Sequence, residues 1–257
     1  MKFFDVLMPF GRTNSGLGLT PINQSQLIDL MKRFDVAYAF VYHTVSRDSD
    51  SVLGNAAIDR LITDDRLYKI WAYEFSDVNE QMSPGDFLRI ALEDNIKAIM
   101  INPSVRNIRI TRNHRINALA ELMEQRRIPL ILFYRQWDAG EDIIDWYELA
   151  DFCNRYPNLP VISQEWRSRA NRPMFDALQA TKNLIVSLAS IWQAQMIELL
   201  VNNFGAERIV FSLGLPELDP GMFQAVVRYS NIPDDDKQKI AYENIQNIMR
   251  NANYECK

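Results

Sequence analysis

The sequence predicts an α/β fold, a (β/α)8 TIM barrel, from three observations. Its 257 residues match the ~250 typical of one such barrel. Eight short apolar runs can be marked, most of them apolar throughout rather than alternating, which suits parallel strands covered on both faces. Segments with helix period separate most of these runs, and strands alternating with helices indicate parallel βαβ units.

The runs fall at 3–8, 36–42, 68–73, 98–101, 130–134, 159–163, 184–188 and 209–211. After the first, Leu27, Met31 and Phe34 share one helical face, with Asn23 and Gln26 placed like a capping box. Ser83-Pro84 with Asp86 starts the helix after the third run, the proline sitting where its missing N–H costs nothing. Ile116, Leu119, Ala120 and Met123 line a face of the next helix, whose polar face carries a solvated His114. Segments 143–153 and 196–204 behave similarly, and Ile240, Asn244, Ile245, Ile248 and Met249 close the chain. Asp234-Asp235-Asp236 reads as an acidic helix start that complements the helix dipole.

An open doubly wound sheet is the rival fold, and it brings a Gly-rich phosphate turn after its first strand. Here Gly16-Leu17-Gly18 lacks the third glycine and comes several residues too late, so no dinucleotide site is expected. No linker or low-complexity stretch divides the chain, and residues 1–257 are expected to form one domain. A net charge of −5 and a pI near 5.2 argue against a nucleic-acid partner, because phosphate binding needs a basic face. No apolar run approaches the ~18 residues of a membrane span, and the N-terminus lacks a signal-peptide layout. Cys153 and Cys256 make neither a disulfide framework nor a thiolate cluster, so a reduced, cytoplasmic protein is expected. A homodimer is compatible with the sequence, but no residue specifies an interface. Nucleophile-elbow and phosphate-loop motifs are both absent.

The stretch Phe204-Gly-Ala-Glu-Arg-Ile-Val-Phe-Ser-Leu-Gly-Leu-Pro216 reads as a helix stop, a short buried strand and an irregular turn. It resembles the last-strand signature of the amidohydrolase-related (amidohydrolase 2) family of barrel hydrolases and decarboxylases. Pro157-Asn158-Leu159 and the closing Ile240-Ala-Tyr-Glu-Asn244 agree with that resemblance in order and spacing. The resemblance implies a catalytic metal held by two His on the first strand, a His on each of the fifth and sixth, and an Asp on the last. Those positions here carry Leu7, Pro9, Phe133, Glu165 and Gly214. A divalent metal in such a barrel needs three or more imidazole or carboxylate ligands, which Leu, Pro, Phe and Gly cannot supply. A degenerate member with neither metal nor cofactor is therefore expected; the alternative is a metal site built afresh from His43, Glu74 and Glu165.

Chemistry in such a barrel sits at the C-terminal ends of the strands. Glu165, His43 and Glu74 are the acid–base candidates there, Glu165 foremost, because burial beside Trp166 would raise its pKa. Arg12, Asn102, Tyr134, Arg135, Trp166, Arg167 and Ser212 are the candidates for binding a small molecule, guanidinium forks suiting carboxylates and aromatic faces suiting flat ligands. Structural readings stand beside these: Glu165 tied to Arg135 or Arg167, His43 bonded locally, Tyr134 filling the barrel top, and Arg106, Arg109 and Arg112 forming a solvated loop edge. Two functional readings follow. One is an enzyme working on a small organic molecule without the metal, and the other is a noncatalytic barrel that binds a small molecule or regulates a partner.

Overall fold

The computed structural model describes residues 1–13, 20–74, 82–104, 106–134, 144–165, 171–191 and 193–255, apart from the side chains of Glu165, Asn171 and Ser190. Eight strands follow one another around a single parallel sheet: β1 (Phe3–Phe10), β2 (Val36–His43), β3 (Leu67–Ala72), β4 (Ala98–Ile101), β5 (Leu130–Tyr134), β6 (Val161–Glu165), β7 (Leu184–Ser187) and β8 (Ile209–Val210). The last seam closes with little ladder. Val6 N–H donates to the Phe211 carbonyl at 3.1 Å, and the Asp5 carboxylate accepts the Leu213 N–H at 3.1 Å. The predicted (β/α)8 barrel is the observed fold.

Side chains alternate across each strand and separate two apolar layers. Phe4, Phe40, Ile70, Met100, Ile131 and Ile162 fill the inside of the ring. Val41, Trp71, Ile99, Leu132 and Val186 face the helices, against Leu27, Ile58, Phe87, Leu119 and Phe152. The helices are α1 (Gln24–Arg33), α2 (Thr44–Asp48), α3 (Ser51–Leu61), α4 (Pro84–Glu93), α5 (His114–Arg126), α6 (Trp146–Arg155), α7 (Asn171–Ala180), α8 (Met196–Phe204), α9 (Pro220–Tyr229), α10 (Asp234–Gln238) and α11 (Asn244–Asn251).

Local signals set most boundaries. Asn23 caps α1 by accepting the Gln26 N–H at 2.9 Å, while Gln26 reaches back to the Ile22 N–H at 3.0 Å. Ser83 caps α4 with Pro84 in its first turn, and Gly205 ends α8 at φ +86°. His114 is exposed in the first turn of α5. Most strand ends fall within one residue of expectation, but β1 runs on to Phe10 and β6 is displaced. β6 begins at Val161 rather than at residue 159, because Pro160 has no N–H to give an interior strand. Its carbonyl instead accepts the Leu130 N–H at 2.9 Å. The shift carries Gln164 and Glu165 to the strand's C-terminal end. The closing helix is also interrupted, by a π turn over Lys239–Glu243, beyond which buried Asn244 donates to the carbonyls of Ala206 at 2.7 Å and Ile209 at 2.8 Å. No helix among the described residues is long and apolar enough to cross a membrane.

Candidate functional site at the barrel mouth

Around the C-terminal ends of the strands, polar side chains fall into a satisfied half and an open half. The first extends along the β8–β1 seam to Asp5, the third residue of the eight in β1. Asp5 is fully buried, and its carboxylate accepts the N–H groups of Leu7 at 2.8 Å and Leu213 at 3.1 Å, with the Ser212 hydroxyl as a third donor. Burial raises the Asp5 pKa to about 6, and these hydrogen bonds oppose the rise. Ser212 Oγ also accepts the Gly214 N–H at 3.2 Å. Ser212, expected to meet substrate, is thus engaged at the β8–β1 seam.

Arg47 continues this half. The short helix α2 leaves β2 directly, so its residues stand over the mouth. Arg47 has no solvent exposure. Its Nε donates to Asp48 at 2.6 Å, and Nη1 donates to Glu217 at 2.8 Å and the Tyr42 hydroxyl at 3.3 Å. Nη2 donates to Thr13 at 3.0 Å and Asp48 at 3.1 Å. All five N–H donors of a guanidinium are thereby used. The same group lies 6.0 Å from the Tyr42 ring centroid and 5.9 Å from that of Phe133. Burial works to lower the Arg47 pKa, but Tyr42, Asp48 and Glu217 outweigh it and the net shift is upward. Partners on the segments after β1, β2 and β8, together with a ring on β5, place this cation over the barrel axis.

His43 and Glu74 are also engaged. His43 Nδ1 accepts the Val45 N–H at 3.2 Å, which caps α2; burial lowers its pKa, in keeping with a neutral ring. Glu74 accepts Arg106 Nε at 2.8 Å and Nη2 at 2.6 Å, while Arg106 also donates to the Ser49 carbonyl at 2.9 Å. Burial pushes the Glu74 pKa up, and the guanidinium pulls back against it. Arg106 is therefore a strut between loops rather than part of a solvated edge. Arg12 is exposed, and its carbonyl accepts the Thr44 hydroxyl at 2.6 Å. Tyr134 is buried in the layer between strands and helices. Glu165 ends β6, paired in register with Tyr134. Its side chain, and all of Arg135, Trp166 and Arg167, lie outside the described residues.

The open half faces this network from β4 and β6. Asn102 follows Met100 by two residues and Gln164 follows Ile162 by two, so alternation turns both toward the barrel interior. They are 3% and 2% exposed. Asn102 Oδ1 and Nδ2 and Gln164 Oε1 are buried with no hydrogen-bond partner among the described residues. Such groups are rare in folded proteins and ask for an explanation. Gln164 escaped the sequence reading, although two-residue alternation from Ile162 would have found it once β6 was started after Pro160. Arg47 and Glu217 escaped it too, because a pair 170 residues apart leaves no local pattern.

The positions that the family resemblance assigns to a metal can now be tested. Leu7 and Phe133 are 2% and 3% exposed and present only hydrocarbon. Gly214 has φ +73°, and a Cβ there would sit 2.9 Å from both Leu218 and Phe223. Arg47 puts a fixed positive charge beside Phe133. These residues do not fit a divalent cation. Among the described residues, no group of three or more His, Cys, Asp or Glu side chains is placed to hold one.

No protein-family model matches the sequence, and no curated protein matches it. Solved structures do match over nearly the whole chain. An uncharacterised TIM-barrel protein from Bordetella bronchiseptica superposes with a TM-score of 0.72 at 17% identity, covering 98% of this chain and 99% of its own. The 5-carboxyvanillate decarboxylase LigW from Sphingomonas paucimobilis gives 0.71 at 12% identity, covering 97% and 99%. A dihydroxybenzoic acid decarboxylase from Polaromonas sp. JS666, with bound manganese and the inhibitor 2-nitroresorcinol, gives 0.70 at 12%, covering 97% of each chain. At these identities the likeness is one of fold: the chain shares its barrel with decarboxylases of small aromatic acids.

Proposed function

We propose that this barrel binds a small organic molecule at its C-terminal mouth through side-chain amides, without the metal that the family resemblance implies. The observation that carries the reading is the pair Asn102 and Gln164, buried and aimed inward with polar atoms that no described residue satisfies. Leaving such a group unmet costs about 1–3 kcal/mol, and a ligand offering both donors and acceptors would recover it. Carboxylic acids, carboxamides and phenols have that chemistry, and the acids and phenols are also what the fold neighbours' names describe.

Among the described carboxylates and histidines of the mouth, His43, Glu74 and Glu217 are each held by hydrogen bonds or an ion pair, as is Asp5 at the β8–β1 seam. Ligand binding is therefore the primary reading. Turnover, where it occurs, rests on Glu165 as general acid–base, with Arg12, Arg135, Trp166 and Arg167 as candidate substrate-binding residues. A single-domain, cytoplasmic protein with no nucleic-acid or membrane partner, active alone or as a homodimer, completes the proposal.

The test is thermal unfolding with a panel of aromatic acids, carboxamides and phenols, run with chelator present. A ligand at a hundred times its Kd stabilises the native state by about 2.7 kcal/mol, so at least one class should raise Tm by several degrees. The Asn102→Leu/Gln164→Leu double variant should lose that response. If no class stabilises the wild type, or if the double variant responds equally, the reading is wrong. Turnover of amides, lactones and carboxylic acids by the wild type, abolished in Glu165→Gln, would make the protein an enzyme.

A further inference from the structure

The mouth carries a cation of its own. Arg47 is fully buried, its five N–H donors are used by Asp48, Glu217, Tyr42 and Thr13, and its charge lies 5.9 Å from the ring of Phe133. Phe133 and Gly214 both stand where the resemblance expects metal ligands, and Glu217 lies three residues beyond Gly214. We propose that the Arg47 guanidinium is a fixed internal cation that takes the place of a divalent metal over the barrel axis and closes the mouth to one. Two carboxylates that could attract a metal, Asp48 and Glu217, are bound to the guanidinium instead. A second cation a few ångströms from it, in a low-dielectric interior, is strongly repelled. The arrangement also ties the segments after β1, β2 and β8 through Thr13, Arg47 and Glu217, a task that a metal's ligands perform where one is bound. This inference shares the metal-free part of the function proposed above and none of its ligand part, so failure of ligand binding at Asn102 and Gln164 leaves it standing.

The experiment uses the full chain with Mn²⁺ and Zn²⁺ as probes. Wild type dialysed against either ion and then desalted should hold far less than one ion per chain, and neither the ions nor a chelator should move its Tm. One ion per chain would overturn the proposal. Arg47→Met keeps length and removes charge, depriving two carboxylates of their partner. Its Tm should fall by roughly 10 °C, and millimolar Mn²⁺ should restore several degrees to it but none to wild type or to Arg47→Lys. An Arg47→Met protein as stable as wild type, or one that ignores Mn²⁺, counts against the charge role. Should Arg47→Met not fold, the Arg47→Met/Asp48→Asn/Glu217→Gln variant decides. Recovery of a folded, Mn²⁺-insensitive protein supports the proposal, and continued insolubility overturns it, since packing rather than charge would then be what Arg47 supplies.

Discussion

The two halves of the barrel mouth treat buried polar groups in opposite ways. On the side built by β1, β2 and β8, Asp5 collects two backbone N–H groups and a hydroxyl, and Arg47 spends every donor on protein acceptors. On the β4 and β6 side, Asn102 and Gln164 are as deeply buried yet have polar atoms with no described partner. A satisfied network rigidifies and specifies structure, whereas a half-satisfied one is a liability unless something else completes it. The contrast separates framework from candidate site more cleanly than residue type does. The acid–base candidates His43 and Glu74 fall among groups already bonded, and two neutral amides fall among those with capacity to spare.

Breaking the satisfied side should have the largest effect. Asp5→Ala removes the acceptor for the Leu7 and Leu213 N–H groups and for Ser212, each buried donor left unmet costing about 1–3 kcal/mol. Urea unfolding at pH 7 should show a loss of about 4 kcal/mol. The seam between β8 and β1, with its single Val6-to-Phe211 backbone bond there, should then exchange its amide protons faster than the β4–β5 ladder. An unchanged midpoint would mean that Asp5 is not part of the framework.

The pH dependence of the same group sharpens the contrast. Its pKa is raised from 3.8 to about 6 in the folded protein, so the native state binds this proton more tightly than the unfolded chain. The contribution to stability is full below pH 3.8 and is lost as pH rises to about 6, amounting to about 3 kcal/mol over that window. Asp5→Asn cannot titrate. Subtracting its stability curve from that of the wild type should give a line falling from pH 4 to pH 6. His43 works in the opposite sense. Its lowered pKa gives stability that is present above about pH 6.5 and lost as pH falls, so His43→Gln, titrated in the same range, separates the two.

Gly214→Asp places a carboxylate where the resemblance expects a metal ligand. Its Cβ would meet Leu218 and Phe223 at 2.9 Å on a backbone at φ +73°, and overpacking of this kind costs about 1–3 kcal/mol. The expected outcome is a loss of about 2 kcal/mol in denaturant unfolding with no gain in Mn²⁺ affinity. A gain in affinity would show that the mouth is one mutation from a metal site.

What the sequence disclosed follows from the range of the forces involved. Strands, caps and the Gly205 stop were readable because backbone conformation is decided within a few residues, as at Asn23, Ser83 and Gly205. The start of β6 falls two residues later than expected because Leu159 is apolar while Pro160 forbids the ladder, and Glu165, standing at a position the resemblance gives to a metal ligand, was singled out rather than inward-facing Gln164. Arg47 could not have been found by pattern at all. Its partners Thr13, Tyr42, Asp48 and Glu217 come from both ends of the chain, and only closure of the ring brings them together. The motif read from the sequence put Leu7, Phe133 and Gly214 where the resemblance expects ligands, but gave no sign that Arg47 lies beside Phe133.

The smallest expected effect on stability is the most telling about function. Asn102→Leu and Gln164→Met exchange buried amides for apolar groups of similar volume. Where a polar group has no partner, such a replacement is close to neutral or stabilising, so each variant should shift the unfolding free energy by no more than about 1 kcal/mol, in the stabilising direction. Asp5→Ala and Arg47→Met, on the β1, β2 and β8 side of the barrel, go the other way. A site kept for a ligand is expected to cost the empty protein stability, and a framework residue is not. If Asn102→Leu instead destabilises by 2 kcal/mol or more, its amide is satisfied in solution by water or by the surrounding loops, and the two halves of the mouth are alike after all.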